Sequence, residues 1–272
     1  MTHQTRYLPP ILLALLLGGL TATGPAAGGD SVPSRLIQVS RQPIDSVTDL
    51  AALGLGSANK PNGRIYRLRA TPDGTHPIQV PRLRGGLELG IADPIESGFA
   101  VLYRAPVESG TQSRESQVVL FDAEGRPTRE LDLTPLLSSP DHLEVQDFRY
   151  HAGRIYFNEA CQSYSREAGG RCSALVCVDL DTGRVLWRTA PLVSNNIFII
   201  DRNRVFCGYG FTAEPDFLFI LDADTGRVLS RTPIDSAHDY MEIQDGHLLV
   251  TTYRSLYRFR IDPAVFGEPA NR

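Results

Sequence analysis

The stretch Leu175–Arg188 (LVCVDLDTGRVLWR) recurs at Leu218–Arg231 as LFILDADTGRVLSR, and the turn glycines Gly183 and Gly226 stand 43 residues apart. A repeat of about 40–45 residues is the size of one propeller blade, and this self-similarity constrains the chain more than any other feature. In each copy an apolar run, Leu175–Val178 or Phe217–Leu221, suits a strand covered on both faces. The Asp-Thr-Gly that follows is turn chemistry: aspartate bonds the backbone two residues on, and glycine takes a positive φ. Val185–Trp187 and Val228-Leu229 then open the next strand.

Weaker copies lie upstream, Gln117–Phe121 leading into Asp122–Gly125 and Arg64–Arg69 leading into Pro72–Gly74. The turn glycines fall at 74, 125, 183 and 226, and the longer intervals hold polar tips at 108–115 and 162–171. Each copy also has an opening strand: Leu143–Val145, Ile197–Ile200 and Met241–Ile243. The order is strand, short turn, strand, variable tip, strand, Asp-x-x-Gly turn, strand. It predicts an all-β fold, a β-propeller of four-stranded blades, with about five blades at this length and six blades or an open arc as alternatives. The last unit lacks an outer strand; Arg35–Val39 could supply it and close the ring, hiding an open edge. Residues 45–53 read as a short helix capped by Ser46, with Asp49 at the third position.

The N-terminus reads as an exported leader: Arg6 precedes the apolar core Ile11–Leu20, too short for a bilayer core of about 30 Å, and small residues follow. The expected organisation is a signal peptide over 1–27, an N-terminal segment over 28–60, the propeller over 61–264 and a tail over 265–272. No later segment predicts a membrane span. Export makes disulfides the expectation for the four cysteines, 161, 172, 177 and 207. Cys161 and Cys172 bracket a polar tip, where a bridge is worth about 3 kcal/mol by chain entropy. Cys177 and Cys207 sit on neighbouring units, either bridged or held as buried thiols. No Cys-x-x-Cys or paired histidine spacing points to a metal. The net charge is −4 with no basic stripe, which excludes the usual nucleic-acid footprint.

The motif D-x-D/A-T-G-R-V-L-W resembles the pyrroloquinoline-quinone-type propeller repeat of bacterial exported proteins. Asp179–Trp187 matches it best, and Asp222–Leu229 matches with Ser230 in place of the tryptophan. The likeness is good over 175–231, faint over 100–160 and absent before 60. It implies a propeller of the cell envelope. That family also includes the propeller lipoprotein that assists outer-membrane barrel assembly, which implies a protein partner in the periplasm. It does not imply the quinone, since dehydrogenases of that type use about eight blades; no cofactor is expected.

Aligning the opening strands places Asp141-His142, Asn195-Asn196 and His238-Asp239 at equivalent points. The start of a blade's innermost strand lies at the channel rim, so His142, Asn195, Asn196, His238 and Asp239 are the candidate ligand-binding residues. Two imidazoles and a carboxylate could bind a metal or run acid–base chemistry; as turn residues they would instead satisfy local backbone. No catalytic residue is assigned. The reading is an exported, non-catalytic, periplasmic or secreted propeller that binds or scaffolds a protein or peptide. The alternative is a small-ligand-binding, hydrolytic or lyase propeller that uses the polar funnel.

Overall fold

The computed structural model describes residues 35–44, 67–68, 80–106, 114–161, 169–170, 172–211 and 214–267. The leader expected over 1–27, the helix over 45–53 and most of the unit over 64–80 lie outside the described residues. The N-terminal strand is β1 (Leu36–Pro43). Blade I contains β4 (Leu87–Ile95), β5 (Gly98–Arg104), β6 (Ser116–Asp122) and β7 (Pro127–Asp132), with the short β2 (Arg67–Leu68) and β3 (Leu83–Arg84) added along β4. Blade II is β8 (Leu143–His151), β9 (Arg154–Cys161), β10 (Ala174–Asp179) and β11 (Val185–Arg188). Blade III is β12 (Asn195–Asp201), β13 (Arg204–Phe211), β14 (Glu214–Asp222) and β15 (Val228–Pro233). Blade IV is β16 (His238–Gln244), β17 (His247–Thr252) and β18 (Ser255–Ile261), with β1 as its fourth strand. Successive first strands pack on one another, β4 on β8, β8 on β12 and β12 on β16. Antiparallel four-stranded sheets joined at their first strands are the blades of a β-propeller. Four blades are formed among the described residues. None of those residues lies in a helix long and apolar enough to cross a membrane.

The doubly apolar strands follow from this stacking. Successive side chains of a strand point to opposite faces. Val176 and Val178 therefore enter the core shared with blade I, beside Leu102, Val118 and Leu120. Leu175 and Cys177 enter the core shared with blade III, beside Phe198, Val205 and Phe219. Blade III divides the same way: Phe219 and Leu221 face blade II, while Leu218 and Ile220 join Met241, Leu248 and Phe259 of blade IV. Fully burying each such side chain contributes about 1.5–3 kcal/mol.

The repeat turns differ from the expectation in one respect. The aspartate that builds each turn is the last residue of the third strand, not the one before Thr-Gly. Asp179 Oδ1 accepts from Thr182 N (2.8 Å) and Thr182 Oγ1 (2.6 Å), and Asp222 does the same for Thr225. Gly183 and Gly226, at φ 67° and 70°, donate back to the carbonyls of Asp179 and Asp222. That frees the outward aspartates for the preceding blade: Asp181 pairs with Arg129 at 2.8 Å and Asp224 with Arg154 at 2.6 Å.

One position on the fourth strand receives the next blade. Arg129, Trp187 and Ser230 occupy it, opposite Leu120, Cys177 and Ile220. The Trp187 indole donates to Ala223 O (3.1 Å) and lies so close to Gly226 that an added Cβ would stand 2.5 Å from the ring. Blade IV has no such turn to offer, because its fourth strand comes from the N-terminus. Ser230 Oγ instead accepts from Arg35 N at 2.7 Å, which accounts for serine in place of the repeat's tryptophan. β1 then pairs with β18 from Leu36↔Ile261 to Pro43↔Ser255, clamped by Arg35–Asp262 and Arg41–Asp235.

Cys161 and Cys172 are disulfide-bonded, with Cα atoms 5.5 Å apart. Cys177 and Cys207 do not form the bridge their positions on neighbouring units allow: both are free, buried thiols. They act as small apolar groups in the core between blades II and III, where Cys207 Sγ donates to Val193 O at 3.6 Å. Burial pushes the Cys177 thiol up to about 11 and raises that of Cys207 as well.

Candidate functional site

The first strands all carry a bulge near their start. Register shifts fall between Leu89 and Ile91, Val145 and Phe148, Asn195 and Ile199, and His238 and Tyr240. Counted back from the closing pair of each hairpin, Gly90, Gln146, Asn196 and Asp239 are equivalent. A bulge releases a residue from its own ladder and re-aims it, here toward the neighbouring blade.

This shifts one candidate out of the set. His142 lies before β8 on an exposed turn, its N–H bonded to Ser139 O; the residue equivalent to Asn196 is Gln146. The sequence alignment slipped because the apolar Leu143 and Val145 precede the bulge in β8, whereas Ile197–Ile200 and Met241–Ile243 follow it.

The structure does bring Asn196 and His238 together in a belt between blades, with Asn195 bonded within blade III beside them. Asn196 N donates to Gln146 Oε1 (3.1 Å), its carbonyl accepts from Asn158 Nδ2 (2.6 Å), and its Nδ2 donates to His238 O (3.0 Å). His238 is fully buried, and Nε2 stands 2.8 Å from Ile197 O. A carbonyl can only accept, so Nε2 carries the proton. Gly208 makes room for the ring, since an added Cβ would lie 2.7 Å from Nδ1. Asn195 Nδ2 donates to Gly210 O at 2.8 Å. Asp239 sits half-buried at the bulge of β16.

Sequence reasoning missed the rest of the belt. Asp147 accepts from Phe198 N (3.0 Å) and Arg149 (2.8 Å), and Arg149 reaches Asp93 of blade I at 3.4 Å. Burial works against the Arg149 charge, but Asp147 and Asp93 outweigh it and hold its pKa above the ordinary arginine value. The guanidinium also lies 5.2 Å from the centre of the Phe198 ring. Arg104 of blade I crosses the space left by Gly90 to donate to Val145 O and Gln146 O, both at 3.3 Å. The available signal was charge inside otherwise apolar strands, which demands a partner. Among the described residues, no group of three His, Cys, Asp or Glu side chains converges in a way that could hold a metal ion.

No family model and no curated protein matches the chain. Solved structures do. A protein of unknown function from Bacteroides caccae is 10% identical, with a TM-score of 0.43 over 62% of this chain and 58% of that one. Dihydro-heme d1 dehydrogenase NirN in complex with DHE is 12% identical, with a TM-score of 0.42 over 62% of this chain and 34% of that one. BamB from Moraxella catarrhalis is 11% identical, with a TM-score of 0.33 over 65% of this chain and 70% of that one. The chain spans 58% and 34% of the first two. Its assignment as a β-propeller rests on its own sheet order and blade packing.

Proposed function

We propose that the chain is an exported, non-catalytic β-propeller with repeats of the pyrroloquinoline-quinone type, docking a protein or peptide in the cell envelope. The observation that carries this reading is the inequality of the two ends of the blades. At one end the strands are joined by tight turns, two residues long after β4, β8, β12 and β16. At the other end β5 joins β6, β7 joins β8, β9 joins β10 and β11 joins β12 through 105–115, 133–142, 162–173 and 189–194, where Leu192 is 39% exposed. There β13–β14 and β17–β18 are joined through two residues each, with Tyr253 83% exposed in the latter turn. A rigid frame that carries several long connections on one side is the arrangement of a recognition module. The rim residues Asn196 and His238 are committed to blade-to-blade hydrogen bonds, which supports recognition by the connections over chemistry in a funnel. The disulfide fits an oxidising compartment.

The test is affinity capture from the envelope fraction, with the mature chain as bait beside Tyr253→Glu and Arg227→Glu. A discrete protein retained by the parent and by Arg227→Glu but lost by Tyr253→Glu is the expected result. Retention of nothing, or loss through Arg227→Glu alone, would overturn the reading.

A further inference from the structure

Seven described non-glycine residues have left-handed backbone, in two groups. Ala152, Arg202, Asn203 and Asp245 lie in the two-residue turns, where such φ values are ordinary hairpin geometry. Ser173 (φ 67°), Leu192 (φ 64°) and Asn196 (φ 54°) instead meet at the corner where blade II passes into blade III. Asparagine tolerates that conformation; serine and leucine are held there against their preference.

What holds them is bonded to the disulfide. Leu143, Cys161 and Cys172 form a small buried cluster of their own. Two hydrogen-bonded paths leave it. Along the first, Cys161 O accepts from Gln146 Nε2 at 3.3 Å, and Gln146 Oε1 accepts from Asn196 N at 3.1 Å. Along the second, Cys172 O accepts from Leu192 N at 3.0 Å, and Ser173 O accepts from Val193 N and Ser194 N at 2.9 and 3.0 Å. Both paths end on 192–196, the segment that opens β12, and Asn196 passes the constraint to His238 of blade IV. A staple for the tip alone would have no need of either path.

We propose that the Cys161–Cys172 disulfide is a redox latch that sets the corner between blades II and III. The reductant it answers to is a dithiol. One thiolate attacks a cystine sulfur, the S–S bond breaks, and one cysteine leaves as a thiolate that takes a proton. The second thiol of the reagent displaces the other cysteine, which is protonated in turn, and the reagent departs as a disulfide. Two electrons and two protons have then passed to the protein. Both cysteines are buried, so attack follows local opening. With the bond cut, Ser173 and Leu192 relax toward right-handed or extended backbone, and the start of β12 loosens. The turns held by Asp179 and Asp222 stay as they are. The latch is independent of whether the chain docks a partner.

The test is residue-resolved hydrogen exchange on the mature chain, with and without dithiothreitol. Reduction should speed the amides of Leu192, Val193, Ser194 and Asn196 by about tenfold or more and leave those of Gly183 and Gly226 within about twofold. Faster exchange confined to 162–171 would overturn the proposal, and so would a uniform rise that included Gly183 and Gly226. With the disulfide intact, Gln146→Ala should speed Asn196 alone, because it cuts only the first path. If Gln146→Ala leaves the Asn196 amide unchanged, the coupling is wrong.

Discussion

The repeat turns and the seam between first strands are held by different kinds of interaction. In the turns of blades II and III the same bonds recur: a strand-terminal aspartate accepts from the threonine ahead of the glycine, and the outward aspartate bridges to an arginine of the preceding blade. Along the first strands no two junctions match. Blades I and II meet through Arg104, Asp93 and Arg149; II and III through Gln146, Asn158 and Asp147; III and IV through Asn196 and His238. The difference teaches that a propeller can be built from repeated local turns while each junction between first strands is specified individually.

The comparison can be broken by mutation. Asp147→Ala removes the acceptor of Phe198 N and the nearer partner of a buried guanidinium, and should cost about 3–5 kcal/mol. Asp181→Ala breaks an exposed pair at the turn end and should cost about 0–1 kcal/mol. Denaturant titration of both variants checks this; equal losses would erase the distinction between the seam and the turns.

A smaller contrast lies within the turn end. Gly226→Ala meets both a positive φ and the Trp187 ring, and should cost about 2–4 kcal/mol. Gly183→Ala meets the same φ but only Leu131 at 3.6 Å, and should cost about 1–2 kcal/mol. Thermal melts that rank them the other way would remove Trp187 from its role as the seat of the next turn.

Acid should act on the turns in a predictable direction. Hydrogen bonds from Thr182 hold Asp179 below the ordinary carboxylate range, as the Arg126 backbone N–H does for Asp122 and the Asn203 side chain, with Arg154, for Asp224. Carboxylates depressed in the fold stabilise it above an unfolded value of about 3.9, and that contribution is lost as pH falls through the folded values. Asp179→Asn should therefore flatten the loss of melting temperature between about pH 5 and pH 2. An unchanged acid limb would contradict the turn geometry. The smallest effect is chemical: denatured, unreduced protein should show two thiols, Cys177 and Cys207, while the native thiols resist alkylation. Four thiols on denaturation would remove the disulfide.

What the sequence made legible follows the same division. The blades of the C-terminal half could be read from Leu175–Arg188 and its copy, since a turn is local and must repeat its chemistry wherever the backbone repeats. The pairing of Cys161 with Cys172 could be read because both bracket one tip. The rim could not be aligned, because a bulge shifts register without leaving a signature in hydrophobicity; His142 was matched to Asn196 on apolar runs that fall on opposite sides of that bulge. The charges of Asp93, Asp147 and Arg149 stand out in apolar strands but not their cross-blade partners, since Asp93 lies 56 residues from Arg149 and Phe198 51 from Asp147. Only the fold brings them together.

The central claim, that one end frames and the other recognises, is tested most directly by site-specific photo-crosslinking in the envelope. A photoreactive residue is placed at exposed Tyr253 or Ala190 on the connection end, and at exposed Arg184 or Arg227 on the turn end. The expected result is a discrete crosslinked species from the first pair and none from the second. The same species from Arg184 or Arg227 alone, or crosslinks from neither end, would contradict it.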